Sequence, residues 1–187
     1  MEQEKINRLQ WILDDAVARG EIPGAILMVR NEGKETVYLE SGYADIEAKK
    51  PVSRDSIYRL YSMSKPITAT AVMILVERGL IDLADPVCRY LPGFCGQMVA
   101  AADGHVEKPW RDVTIQDLVN MTSGLVYDGN HLTGKQTEAL FAEVIQGLDE
   151  GEGGAYGTVE IANRLGQIPL AFQPARSWCY GTSADVA

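Results

Sequence analysis

Ile57-Tyr58-Arg59-Leu60-Tyr61-Ser62-Met63-Ser64-Lys65-Pro66-Ile67-Thr68 is the stretch at which strand-like text gives way to helix-like text. Before it, Ala25-Ile26-Leu27-Met28-Val29 and Thr36-Val37-Tyr38-Leu39 are two β-prone runs. Asn31-Glu32-Gly33-Lys34 between them supplies the turn residues of an antiparallel hairpin. A polar connection through Lys49, Lys50, Pro51 and Asp55 follows, and from there the chain is mostly helical. The spacing predicts two parts: residues 1–55 with an N-terminal helix and a hairpin, and residues 56–187 with mainly helices.

Working outward, Ile6, Leu9, Leu13 and Val17 recur at helical spacing ahead of Gly20, so residues 4–19 read as a surface helix with one buried stripe. A helix from Ser62 to about Arg78 presents Ile67, Ala71, Ile74 and Leu75 on one face and stops at Gly79, with Pro66 tolerated in its opening turn. Thr114 is placed to cap a short helix over 114–121 that Ser123-Gly124 closes. Lys135–Gln146 and Val159–Leu165 read as further helices, and 183–187 as a helix just begun. Residues 148–157 carry four glycines and three acids and read as a mobile loop; Asp149, Glu150 and Glu152 lack the spacing of a 12-residue calcium loop and read as solvated.

Composition removes several function classes. The chain has 187 residues, 46% of them hydrophobic and 23% charged, the make-up of an ordinary globular protein. At this size roughly 70% of the unfolded surface is buried without disulfides, so Cys88, Cys95 and Cys179 imply no framework. With 17 basic against 26 acidic residues and no basic run longer than Lys49-Lys50, nucleic acid is not expected as a partner. No apolar run reaches the ~20 residues of a membrane-spanning helix, so no membrane is expected. The absence of a leader after Met1 and the odd cysteine count give a cytoplasmic expectation. His105 and His131 form no metal-ligand pair and no histidine triad, so no metal is expected.

The chemistry that remains is at Ser62-Met63-Ser64-Lys65, a hydroxyl and an ammonium one helical turn apart. A lysine can take the serine proton only if its pKa falls well below its reference of about 10.4, which burial and the positive end of a helix can bring about. Free N–H groups at that helix start could hold an oxyanion. Spacing alone leaves two readings open: an activated serine, or an N-cap serine followed by a solvated lysine. Ser64 has Ile67 three residues on and so no lysine in register, and Asp55 and Arg59 read as a local ion pair or solvated face.

Context adds a resemblance. Residues 57–68, with the stretch from Leu75 to Pro92 after them, resemble the serine β-lactamase-related hydrolases, in particular the class C branch with its carboxylesterases and acyltransferases. Val113-Thr114-Ile115-Gln116-Asp117-Leu118 with Thr122-Ser123-Gly124-Leu125 resembles a second block of that family, with Met121 where many members have His. Trp178-Cys179-Tyr180-Gly181-Thr182-Ser183-Ala184-Asp185-Val186 resembles the block with the catalytic tyrosine. The blocks stand in family order and the likeness spans residues 24–187. It implies an α+β fold of the β-lactamase/transpeptidase type, an antiparallel sheet flanked by helices plus an all-helical domain, with the active site between them. It also implies Ser62 as nucleophile, Lys65 as its activating partner and Tyr180 as proton shuttle, a tyrosinate beside an ammonium being a competent base. Cys179 reads as a small filler.

Tyr180-Gly181-Thr182 stands where β-lactamases carry Tyr-x-Asn, which favours an esterase-like or acyltransferase-like member and leaves Thr182 as the substrate-binding candidate. The family's third motif and its C-terminal strands would lie beyond Ala187, so the chain is expected to be the N-terminal portion of the fold. A second chain or a missing segment is expected to supply the other strands, with little turnover without it. The function expected is a serine hydrolase acting through an acyl-enzyme on a small ester, amide or lactam, with no cofactor. The alternatives are a β-lactamase or D-alanyl-D-alanine peptidase and, from another class, a non-catalytic binding half-domain.

Overall fold

The apolar stripe Ile6, Leu9, Leu13 and Val17 does form one side of a helix. A computed structural model, which describes residues 2–101, 103–149 and 156–187, places α1 at Gln3–Ala18 with these four side chains half-buried and Trp11 outside. The chain divides into two compact units, Met1–Leu60 and Tyr61–Ala187; the sequence reading set the division between residues 55 and 56.

In the first unit β1 (Gly24–Asn31) and β2 (Lys34–Asp45) pair antiparallel, with Leu27 opposite Leu39 and Val29 opposite Val37. Glu32 and Gly33 both take positive φ, 49° and 74°, the turn whose twist matches that of the flanking strands. A short β3 (Lys50–Pro51) adds to β2, giving the order β1-β2-β3. The sequence reading stopped the second strand at Leu39 and saw a connection at 49–51. Glu40, Ser41 and Gly42 carry little strand propensity of their own, and pairing with residues 24–26 holds them in the sheet. α1 lies on this sheet, tied by Gln10 Nε2 donating to Glu40 O at 3.0 Å and Ser41 Oγ to Asp14 Oδ1 at 2.7 Å.

The second unit is built on α2 (Ser64–Glu77), α3 (Ile115–Asn120), α4 (Leu132–Asp149), α5 (Thr158–Gly166) and α6 (Ser183–Val186), with a small antiparallel pair, β4 (Val99–Ala100) and β5 (Val106–Glu107). Leu118, Leu165, Leu170 and Val87 are its most deeply buried apolar side chains, joined by Val72, Phe94, Val99 and Val186. Of the 148–157 stretch, residues 150–155 lie outside the described residues, and so does the reading of the acidic side chains 149, 150 and 152; α4 itself continues through Asp149.

The buried side of α2 differs from the expected one. Val72 is buried while Ile67, Ile74 and Leu75 are 60%, 41% and 38% exposed, so the inward line is Lys65, Thr68, Ala69, Val72 and Val76. The helix is apolar on nearly every side, and periodicity cannot choose a face where no polar face competes. α3 matches the expected 114–121 to within a residue at each end, and Met121, with φ 59°, closes it ahead of Ser123-Gly124.

Candidate active site

Ser62 lies in a 3₁₀ turn, Tyr61–Met63, that leads directly into α2. Tyr61 before it has φ 47°. A left-handed backbone costs a non-glycine residue about 1–2 kcal/mol, and here it turns the chain so that Ser62 stands exposed at the mouth of the helix. Ser62 Oγ makes no hydrogen bond among the described residues, so it caps nothing, and the N-cap alternative has no bond to stand on. Lys65, one turn on, points inward, its side chain 12% exposed.

The tyrosine segment is tied to the stretch that follows α3 by two backbone bonds and one between side chains. Ala175 N–H donates to Thr122 O at 2.9 Å, Cys179 N–H to Met121 O at 3.1 Å, and the buried hydroxyls of Ser123 and Ser183 meet at 2.8 Å. Gly181 allows the approach: a Cβ there would stand 2.3 Å from Leu125 O. Ser62, Lys65, Pro66, Met121, Tyr180 and Ala184 accordingly line one cleft of about 320 Å³. Tyr180 is 46% exposed in it, and Lys65 Nζ sits 5.5 Å from the centre of the Tyr180 ring. A larger, mainly apolar hollow of about 720 Å³ adjoins it, with Lys65 on both walls.

The lysine has two partners that local sequence patterns did not single out. Lys65 Nζ donates to Tyr127 Oη at 2.6 Å, and Tyr127 Oη donates to Asp185 Oδ2 at 2.7 Å. Asp185 also faces the ammonium directly, at 3.3 Å. Burial by itself pulls the Lys65 ammonium down, but the Tyr127 hydrogen bond and the Asp185 carboxylate outweigh it and hold the group above the ordinary lysine range. Burial pushes the Tyr127 phenol up, and its bond to Asp185 pushes the same way against the opposing Lys65 cation. A lysine acting as base needs the opposite shift. In this arrangement Lys65 is a fixed cation at neutral pH.

Of the other sequence candidates, Thr182 is fully buried just before α6, its Oγ1 without a hydrogen-bond partner. Cys88, Cys95 and Cys179 are free thiols. His131 Nδ1 accepts from Gly134 N–H at 3.1 Å, and His105 bonds Asp103 on the surface. Among the described residues no cluster of metal-ligating side chains occurs and no helix is long and apolar enough to cross a membrane. The signals that would have found Tyr127 and Asp185 are weak: they stand 62 and 120 residues from Lys65, and only the fold joins them.

Known proteins give this geometry its context. Esterase EstB of Burkholderia gladioli is 35% identical over 179 residues, which cover 96% of this chain and 43% of the esterase. Penicillin-binding protein 4* of Bacillus subtilis is 35% identical over 126 residues, 67% of this chain and 24% of that protein. Among solved structures, EstCE1, a hydrolase with promiscuous acyltransferase activity, superposes with a TM-score of 0.77 at 28% identity, covering 96% of this chain and 44% of that one. The chain thus spans under half the length of these relatives, and its fold is the α+β fold of β-lactamases and transpeptidases. Other relatives bear the names of acyltransferases, amidases and β-lactamases. Residues 9–186 match the Beta-lactamase family, and the chain belongs to it.

Proposed function

We propose that the chain carries the nucleophile, cation and proton shuttle of an acyl-transferring serine hydrolase, esterase-like in preference. The observation that carries this reading is the convergence on one cleft of Ser62 and Lys65 from the start of α2 and Tyr180 from a separate segment. Ser62 Oγ attacks the carbonyl carbon of a small acyl substrate, and its proton passes to the Tyr180 oxygen. The tetrahedral intermediate collapses as the bond to the leaving group breaks, and Tyr180 returns the proton to that leaving group. Water, giving its proton to Tyr180, then attacks the acyl-enzyme and frees Ser62, which recovers its proton. Lys65, held as an ammonium, favours the developing oxyanion. Thr182 contributes no exposed surface to the cleft, so its expected role in holding substrate is not part of this reading. The preference for esters rests on Tyr180-Gly181-Thr182, which offers no side-chain amide to a lactam.

A fluorophosphonate probe tests the assignment: displacement of fluoride by Ser62 Oγ leaves a stable phosphonyl adduct. Peptide mapping is expected to find one adduct, on Ser62, absent from Ser62→Ala. An adduct elsewhere, or one that survives the substitution, overturns it. Cleavage of a chromogenic cephalosporin faster than of a short p-nitrophenyl ester would reverse the ester preference in favour of a β-lactamase or peptidase.

A second reading draws on the exposed apolar surface of the second unit. Ile67, Leu80 and Tyr61 are 60%, 63% and 77% exposed, an unusual display for side chains of this kind. It supports the alternative of a non-catalytic binding half-domain that needs a complementary chain. Native mass spectrometry of the purified protein together with ester turnover tests this: full turnover by a lone 187-residue chain overturns it.

A further inference from the structure

Lysine nitrogen carries three N–H donors when charged and none aimed backward as a lone pair. Around Lys65 Nζ, one donor goes to Tyr127 Oη at 2.6 Å and another faces the Asp185 carboxylate at 3.3–3.4 Å. Lys65 also lines the cleft that Ser62 and Tyr180 share, with Nζ 5.5 Å from the centre of the Tyr180 ring. The bonds are directional along the whole relay: Tyr127 accepts from Lys65 and donates to Asp185, so its hydroxyl is used in both senses. The relay is also braced. Phe141 packs against the Tyr127 ring at 6.5 Å, the Tyr180 ring lies 6.0 Å on another side, and Ser183, two residues before Asp185, is fully buried.

We propose that Tyr127 and Asp185 are positioning residues for the acyl transfer, a pair that keeps Lys65 protonated and fixes the ammonium between Ser62 and Tyr180. The inference rests on the serine-hydrolase reading above and divides its labour: Lys65 is the stationary cation, and the proton of Ser62 moves to Tyr180. Neither positioning residue touches the substrate. Asp185 supplies the negative charge that favours the ammonium, and Tyr127 supplies the geometry, since its hydroxyl reaches both groups. The titratable groups facing Lys65 are Tyr127 from the segment before α4, Asp185 from α6 and Tyr180 from the segment before α6; Tyr61 and Tyr90 line the adjoining hollow. Lys65 is therefore held against deprotonation by the Tyr127 hydrogen bond and by the Asp185 carboxylate, the charge that faces it among the described residues.

Two readouts on the full chain separate this inference from the reading beneath it. The first needs no activity. In protein carrying lysine labelled with ¹³C at the ε carbon, the Lys65 signal, identified by its loss in Lys65→Arg, is followed through an alkaline titration. Its midpoint is expected to lie above those of the exposed lysines and to fall in both Asp185→Asn and Tyr127→Phe. The second is the rate of fluorophosphonate labelling of Ser62 against pH. Asp185→Asn is expected to slow it ~10- to 100-fold and to move its alkaline limb to lower pH. Tyr127→Phe, which removes one hydroxyl and keeps the ring, is expected to act in the same direction with a smaller change. A midpoint for Lys65 that Asp185→Asn leaves in place overturns the proposal even where Ser62 is labelled normally. A chain whose Ser62 never reacts overturns it from the other side, and there the NMR titration still shows whether the ammonium is held.

Discussion

Two helix starts in the second unit share one spacing and put it to opposite uses. Thr114-x-x-Asp117 opens α3 and Ser62-x-x-Lys65 opens α2, in each case a hydroxyl followed by a charge three residues on. At α3 the pair closes on itself. Asp117 accepts from Thr114 N–H and Thr114 Oγ1, both at 2.9 Å, and Thr114 Oγ1 accepts from Asp117 N–H at 3.4 Å. At α2 the serine caps nothing and the lysine leans away to Tyr127 and Asp185. The sign of the charge accounts for the difference. The start of a helix presents N–H groups and positive potential, which draw a carboxylate back toward the cap and repel an ammonium. One start is thereby consumed in stability, while the other keeps a hydroxyl free and a cation steered elsewhere.

The comparison is broken most directly at Asp117. It is 2% exposed and accepts two bonds from Arg111, at 2.5 and 2.8 Å, beside those from Thr114 and one from Thr122 at 3.2 Å. Burial pushes the Asp117 carboxyl up, but Arg111 and Thr114 more than offset that and hold it below the usual carboxylate range. Asp117→Asn is expected to cost about 3 kcal/mol in the urea midpoint at neutral pH. The folded carboxyl titrates below its unfolded value of about 3.9. Its stabilisation is therefore complete above that value and is lost as pH falls through the folded one. The variant's stability should accordingly be flatter across that acid range. An unchanged midpoint would mean that α3 is held by packing alone.

Gly181 sharpens the comparison by moving the tyrosine and leaving the serine alone. With Leu125 O 2.3 Å from a Cβ at this position, Gly181→Ala must shift the segment that carries Tyr180. The expected cost is about 2 kcal/mol, with Ser62 labelling slowed more than stability alone explains while the protein is still folded. Labelling at the unsubstituted rate would place Tyr180 outside the chemistry.

What the sequence makes legible follows from the range of the interactions. The turn at Glu32-Gly33, the end of α1 at Gly20 and the cap at Thr114 are decided within four residues, and each stands where the sequence puts it. Ser62 and Lys65 come from a local spacing and Tyr180 from the family resemblance, and the fold lines one cleft with all three. Misreadings occur where local text is indifferent. α2 is apolar on too many sides to name its buried face, the continuation of β2 through Glu40-Ser41-Gly42 depends on its partner strand, and β4 and β5 are too short to show a period. Tyr127 and Asp185 belong to the same class of problem. A tyrosine and an aspartate have many uses, and only three-dimensional proximity assigns them to a lysine.

The smallest effect discriminates best between the two helix starts. Thr114→Ala removes a hydroxyl that caps α3 and is expected to cost about 1 kcal/mol, the usual value of an N-cap. Ser62→Ala removes a hydroxyl at the same spacing from a charge but one residue before the N-cap of α2, Met63, and its Oγ has no partner among the described residues and is exposed. Its cost is expected to stay within about 0.5 kcal/mol, as for surface substitutions generally, while probe labelling disappears. Measured side by side in urea, the two alanines thus separate a serine kept for chemistry from a threonine kept for folding. Equal losses would mean that Ser62 caps α2 in solution, and that its hydroxyl is committed to the helix before any substrate arrives.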